Sequence, residues 1–175
     1  MANLTVKRPA ATEHHQYYQQ YVNLVPDGDY LANLEAQGRE NAKFLRGISE
    51  QKSTHRYAPD KWTIREVIGH LIDAERVFAY RALTFARGDV TKLPSFDENA
   101  WAKESNAADR PMKDLVAEFE AVRAATLAMF RGLTEELFAR SGVASDNQVS
   151  VRALAYIIAG HERHHVKVLR ERYGV

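Results

Sequence analysis

The chain has 175 residues with 24 Lys+Arg against 23 Asp+Glu, a formal net charge of +1, and no cysteine. So even a balance offers no field to draw nucleic acid or an acidic membrane surface. The lack of Cys removes disulfides, thiolate metal ligands and a cysteine nucleophile of the protein's own.

The length suits one domain over residues 1–175, with residues 1–20 as an N-terminal extension. "MANLTVKRPAATEHHQYYQQYV" has no apolar stretch of signal-peptide length, and no later run is apolar enough to span a bilayer. The expectation is a soluble, cytoplasmic protein. Apolar residues recur at helical spacing in four long segments, and no sustained strand-like alternation appears, so the expected fold class is all-α.

In chain order, a short helix is expected around Glu13 to Leu24, then a long one from Tyr30 to Arg46 with Gly47 as its stop. The next opens at "TIRE", where Thr63 and Glu66 have the spacing of a capping box, and runs to about Arg87 before Gly88. A connection, "GDVTKLPSFDENAWAKESNAADR", is too long for a simple bundle turn and carries Phe96 and Trp101, as a segment that covers something does. Another helix starts near Pro111 and ends at Arg131 before Gly132; the last follows Ser150 and reaches about Arg172. With no internal repeat, the economical architecture is a four-helix bundle.

The last helix contains His161-Glu162-Arg163-His164-His165, literally the H-E-x-x-H pattern of many zinc proteases. At about 100° per residue, Leu154, Ile158, His161, His165 and Val168 share one stripe, with Glu162 near its edge. His161 and His165 therefore point inward on adjacent turns, where two polar rings among Leu, Ile and Val need partners. A third ligand does not follow in "VKVLRERYGV". The second long helix offers one: His70 shares a stripe with Val67, Leu71, Ala74, Phe78, Arg81 and Phe85. Three His with open positions describe a catalytic rather than a closed structural site. His14, His15 and His55 read as surface residues, and His164 as dispensable for metal binding.

"YAPDKWTIREVIGHLIDAERVFAYRALTFARGD", "LPSFDENAW" and "VSVRALAYIIAGHERHHVKVLRERY" resemble the DinB-like superfamily of metal-dependent enzymes, from about Tyr21 to the end of the chain. The resemblance implies a four-helix bundle of up-down-down-up connectivity, frequent homodimerisation, and a metal held by His70, His161 and His165. Members include transferases that attach low-molecular-weight thiols to electrophiles. The functional expectation is therefore a thiol activated at a zinc or nickel centre for transfer to a small electrophilic molecule. A metal-dependent hydrolase of a small molecule and a non-catalytic metal- or ligand-binding protein are the alternatives.

Other polar residues are assigned by position alone. Glu162 is a candidate proton carrier or a plain helix residue; Asp73 or Glu66 is placed to orient the second nitrogen of His70. Arg81 either packs and pairs with Asp97 or Glu98, or anchors a substrate carboxylate, in which case Asp97 and Glu98 line the pocket mouth. Trp62, Phe96 and Trp101 read as core or lid packing.

Overall fold

The computed structural model describes residues 6–175, so the first five residues of the expected N-terminal extension lie outside the described residues. Eight α-helices are present among the described residues: α1 (Gln19–Val22), α2 (Tyr30–Arg46), α3 (Glu50–Ser53), α4 (Ile64–Ala86), α5 (Glu98–Glu104), α6 (Met112–Arg131), α7 (Glu135–Ala139) and α8 (Val151–Arg172). The four long ones, α2, α4, α6 and α8, form the bundle. Their starts are set by local chemistry. Asp29 accepts from the Ala32 amide, Thr63 and Glu66 close the capping box, and Ser150 accepts from the Ala153 amide.

Contacts between the long helices give their directions. Arg76 pairs with Glu118 at 2.6 Å and Arg123 with Glu75 at 2.8 Å, while further along Tyr80 and Leu83 share a groove with Ala125 and Met129; α4 and α6 thus run parallel. Arg46 meets Glu120 and Arg131 meets Glu35, so α2 and α6 are antiparallel. The Tyr30 hydroxyl donates to the Ala155 carbonyl and the Gln37 amide to the Ala159 carbonyl, so α2 and α8 are parallel. This is the up-down-down-up bundle. A parallel α4/α6 pair obliges the chain between them, residues 87–111, to travel back along the bundle.

Two segments depart from expectation. The helix expected over Glu13 to Leu24 is two 3₁₀ turns, Ala11–Glu13 and Gln16–Tyr18, followed by the single turn α1, because His14 and His15 adopt extended backbone that breaks the helix. This segment packs on the bundle. Arg8 donates to the carbonyls of Val22 and Val25, and Glu13 accepts from Arg152 and Ser150. The second departure is an antiparallel hairpin, β1 (Ser141–Ala144) with β2 (Asn147–Ser150), where a mainly helical chain was expected. Ser145 and Asp146 both take positive φ at its tip, the pattern of a tight two-residue hairpin turn.

The apolar core falls into two clusters. One, at the hairpin end, includes Phe78, Phe85, Phe130, Leu154 and Ile157; the other, at the opposite end, includes Ile64, Ile68, Leu115, Phe119 and Leu169. Between them lies a layer of buried polar groups: His70, Glu75, Arg123, His161 and Glu162. No helix among the described residues is long and apolar enough to cross a membrane.

Candidate metal centre

Antiparallel packing of α4 on α8 sets His70 opposite the His161 and His165 turns. The Nε2 atoms of His70 and His165 each lie 3.1 Å from the Nε2 of His161, and the three nitrogens all fall within 4.8 Å of one another. His70 and His161 are buried and His165 is half-buried. Burial pushes the His70 imidazole down to about 4; burial, and then the neighbouring His70 and His164, push His165 down to about 3. His161 is driven well below its ordinary value by burial and then by His165 and His70. All three are therefore neutral at pH 7, the form in which imidazole ligates metals.

The donor set fits a metal ion. A single Nε2 proton cannot satisfy two further Nε2 lone pairs that converge on the same point, whereas one cation can satisfy all three. Tetrahedral zinc with Zn–N bonds of about 2.0–2.1 Å holds its nitrogens about 3.3 Å apart, close to the spacing found.

Aromatic rings enclose the cluster. Trp62 lies tilted over His70 with centroids 4.8 Å apart, Tyr21 meets His161 edge-on at 5.4 Å, and Phe78 does so at 5.8 Å. Tyr21 approaches this closely because residue 160 is glycine: a Cβ there would stand 2.0 Å from the Tyr21 carbonyl oxygen.

Two cavities reach the histidines. One, of about 120 Å³, touches His70 and His161 and is walled by Tyr18, Tyr21, Phe78 and Arg81 from the bundle and its N-terminal segment, with Phe96 and Ser145 from the connection and the hairpin. The other, of about 270 Å³, lies beside His165, with Trp62, His164 and Tyr173 in its wall. The connection is held over the first cavity by the hairpin. Leu93 donates to the Val143 carbonyl and Ser145 donates back to the Leu93 carbonyl, each at 3.0 Å.

The remaining candidates are distributed differently from the sequence reading. Glu162 is 2% exposed and lines neither cavity; Asn41 and Arg123 both donate to its carboxylate, and Arg123 also holds Glu75 in a bidentate pair at 2.9 and 2.8 Å. Its place is in the polar layer rather than among the groups around the imidazoles. Asp73 faces Arg76 at 3.7 Å, and Glu66 is occupied by Thr63 and Arg56, so neither carboxylate hydrogen-bonds His70.

Arg81 is paired with neither Asp97 nor Glu98. Its Nη2 donates to the Pro94 carbonyl at 2.7 Å and to the Ser145 hydroxyl at 3.0 Å. The Asp97 carboxylate instead caps α5, accepting from the amides of Asn99 and Ala100, and this ties it to the helix start. Glu98 is exposed at the edge of the smaller cavity.

His15 and His55 are exposed, but His14, expected at the surface, is 6% exposed with its Nδ1 on the His15 carbonyl, because the N-terminal segment folds back on the bundle. Trp101 is exposed and packs tilted against Phe96, with ring centroids 4.9 Å apart. Arg123, Glu75 and Asn41 were not singled out from sequence. Glu75 does share a helical stripe with Leu71 and Phe78, and Arg123 with Phe119 and Leu127, so the phase count that located the histidines applies to both.

Comparison with known proteins bears on this arrangement. A protein of Geobacillus kaustophilus (strain HTA426) named "Putative metal-dependent hydrolase" is 27% identical over 153 residues, covering 83% of this chain and 85% of that one. A protein of the same name from Geobacillus thermodenitrificans (strain NG80-2) is 23% identical over 135 residues, covering 74% and 76%. Among solved structures, that of YfiT from Bacillus subtilis, described as "a probable metal-dependent hydrolase with an unusual four-helix bundle topology", superposes with a TM-score of 0.68 at 18% identity over 96% of this chain and 94% of that one. The sequence profile described as DinB superfamily matches residues 33–169, from α2 to the last turns of α8, and so takes in all three histidines. The chain belongs to the DinB superfamily.

Proposed function

We propose that this protein is a metal-dependent enzyme acting on a small molecule, with His70, His161 and His165 holding a divalent zinc or nickel ion. The observation that carries this reading is the convergence of three neutral imidazole nitrogens between two cavities, one touching His70 and His161 and the other His165. When bound, the ion would supply Lewis acidity, lowering the pKa of a thiol or a water brought to it. The protein's own residues do the rest. Trp62 packs on His70, Tyr21 and Phe78 pack on His161, and Ser95 and Phe96 of the connection form part of the cavity wall.

The reaction we infer is transfer of a low-molecular-weight thiol to a small electrophile, the sulfur forming a C–S bond as a leaving group such as halide departs and the thiol proton passes to solvent. With no Cys in the chain, the thiol is a cosubstrate. A zincin-like peptidase reading is disfavoured, because the Glu of the H-E-x-x-H pattern pairs with Arg123 and the hairpin, the one sheet among the described residues, is itself packed against the bundle. A second reading, hydrolysis of a small molecule, is favoured by the names of the two Geobacillus relatives.

The test is to load metal-free protein with zinc or nickel and offer it an aryl halide with a panel of cellular thiols, and in parallel small esters and amides. A metal-dependent conjugation rate that disappears in His161→Ala supports thiol transfer. Cleavage of the esters or amides without any thiol-dependent rate replaces it with the hydrolase. Stoichiometric metal with no turnover of either class leaves a binding protein.

A further inference from the structure

Two arginines are buried in the bundle, and they are neutralised differently. Arg123, 4% exposed, is matched by the carboxylates of Glu75 and Glu162. Arg81 is 3% exposed, yet among the described residues no carboxylate lies within ion-pair distance of it. Its hydrogen-bond partners, the Pro94 carbonyl and the Ser145 hydroxyl, are both neutral, and the Tyr18 hydroxyl stands beside it. A guanidinium does not shed its proton to escape burial, and a buried charge without a counter-charge is costly. The side chain is also held in place from three sides: by α4, which carries it, by the connection at Pro94 and by the hairpin at Ser145.

The uncompensated charge faces the cavity that reaches the histidines. Arg81 Cζ is 5.9 Å from the centre of the Phe78 ring, and the His161 ring is 5.8 Å from the same ring on the metal side. The cavity therefore has a cationic end, an aromatic floor and an imidazole end, with the exposed Glu98 carboxylate at its mouth, and about 120 Å³ of room. The geometry points to Arg81, with the hydroxyls of Ser145 and Tyr18, as a carboxylate-binding subsite that fixes one end of a small carboxylic acid while its other end lies at His70 and His161. This rests on the reading of the cavity as the place where substrate or cosubstrate binds, and it names the chemical class: a small molecule with a carboxylate at one end and its reacting group at the other.

A carboxylate is favoured over a phosphate by the donor set. One planar guanidinium flanked by hydroxyls matches two coplanar oxygens, and no second cation lines the cavity to meet a doubly charged group. The subsite is positional: it orients a ligand and moves no proton.

The experiment measures binding by NMR titration and calorimetry, in zinc-loaded and in chelator-stripped protein, with sodium propionate as probe and propionamide as its neutral isostere. The expected result is saturable propionate binding in both forms, with amide shifts centred on Ser145, Ser95 and Phe78, and roughly tenfold weaker binding of propionamide. Arg81→Gln should weaken propionate by a similar factor and Arg81→Lys by less. Ser145→Ala, which leaves the charge in place, should lower affinity modestly and guards against misfolding of the arginine variants. The inference is overturned if propionamide binds as well as propionate or if inorganic phosphate is preferred. It is also overturned if propionate binds only in the zinc-loaded form, where ligation of the ion explains it. Retention of zinc, measured on the same samples, reports on the metal centre separately, so a failed subsite and a failed metal site give different results.

Discussion

Glu162, which follows His161 directly in sequence, turns its carboxylate onto Arg123 in a buried ion pair that also takes in Glu75 and Asn41. One guanidinium between two carboxylates holds the middle of the bundle together and occupies the carboxylate of the Glu in the H-E-x-x-H pattern. Removing one partner of a buried pair strands the other charge, at a cost of about 3–5 kcal/mol. Arg123→Ala and Glu162→Ala should each lower unfolding stability by that order in urea titration, whereas Glu162→Gln should cost less and keep stoichiometric metal. Loss of metal from a folded Glu162→Gln protein would return this carboxylate to the centre.

The metal centre itself gives the sharpest test. His70→Ala, His161→Ala or His165→Ala should abolish stoichiometric metal at submicromolar free ion, read by elemental analysis after dialysis against a chelator buffer. His164, which meets Tyr21 edge-on and faces the larger cavity, is not within the Nε2 cluster, and His164→Ala should retain the ion. Binding should also raise the midpoint of thermal unfolding of the wild-type protein in proportion to the logarithm of free metal.

Gly160 marks the contact between α1 and α8. A methyl group there would meet the Tyr21 carbonyl at 2.0 Å, a backbone group that cannot rotate away. Gly160→Ala should therefore destabilise by about 1–3 kcal/mol or more, despite the higher helix propensity of alanine, and should displace Tyr21 from His161. An unchanged midpoint of chemical denaturation would mean that α1 is free to shift.

Acid should loosen the N-terminal segment. Burial raises the Glu13 carboxyl, but hydrogen bonds from Arg152, the Ala10 amide and Ser150, with the charge of Arg152, outweigh it and leave the group below the usual glutamate value. A carboxyl depressed in the folded state contributes stability above its unfolded pKa and loses it as pH falls through the folded value. The contribution should be intact above about pH 5 and fade below about pH 4, and Arg152→Ala should flatten that loss. For a partly exposed pair the effect is a few tenths to about 1 kcal/mol, measurable as the difference between the two proteins' stability against pH.

The bundle was legible because its signals are local. Thr63 with Glu66, the stops at Gly47 and Gly132, and the apolar stripe through His70 each depend on residues within a turn or two, and the four long helices start and end within about a residue of the positions these signals mark. The hairpin was not legible: its strands have four residues each, too few for alternation to show, and its turn uses Ser145 and Asp146 rather than Asn-Gly. Nor were the partners of Arg81. Asp97 and Glu98 were reasonable guesses by charge, but Arg81 is met by the carbonyl of Pro94 and by a hydroxyl 64 positions away, through a path of the connection that no local pattern encodes.

The parallel pairing of α4 and α6 has a consequence for how the chemistry of such a protein can change. The end of α4 and the start of α6 lie at opposite ends of the bundle, so residues 87–111 must make a return of roughly 30 Å, the length of α6. That tether cannot be trimmed to a tight turn whatever the substrate, and it passes over the face where the histidines open. Material the topology demands is thus also part of the wall of the cavity beside His70 and His161. Phe96, Glu98 and their neighbours lie outside the long helices that carry the three histidines, so exchanging them should leave those helices in place. The connection can therefore vary part of the cavity wall, while Phe78 and Arg81 share α4 with His70 and cannot shift independently of it.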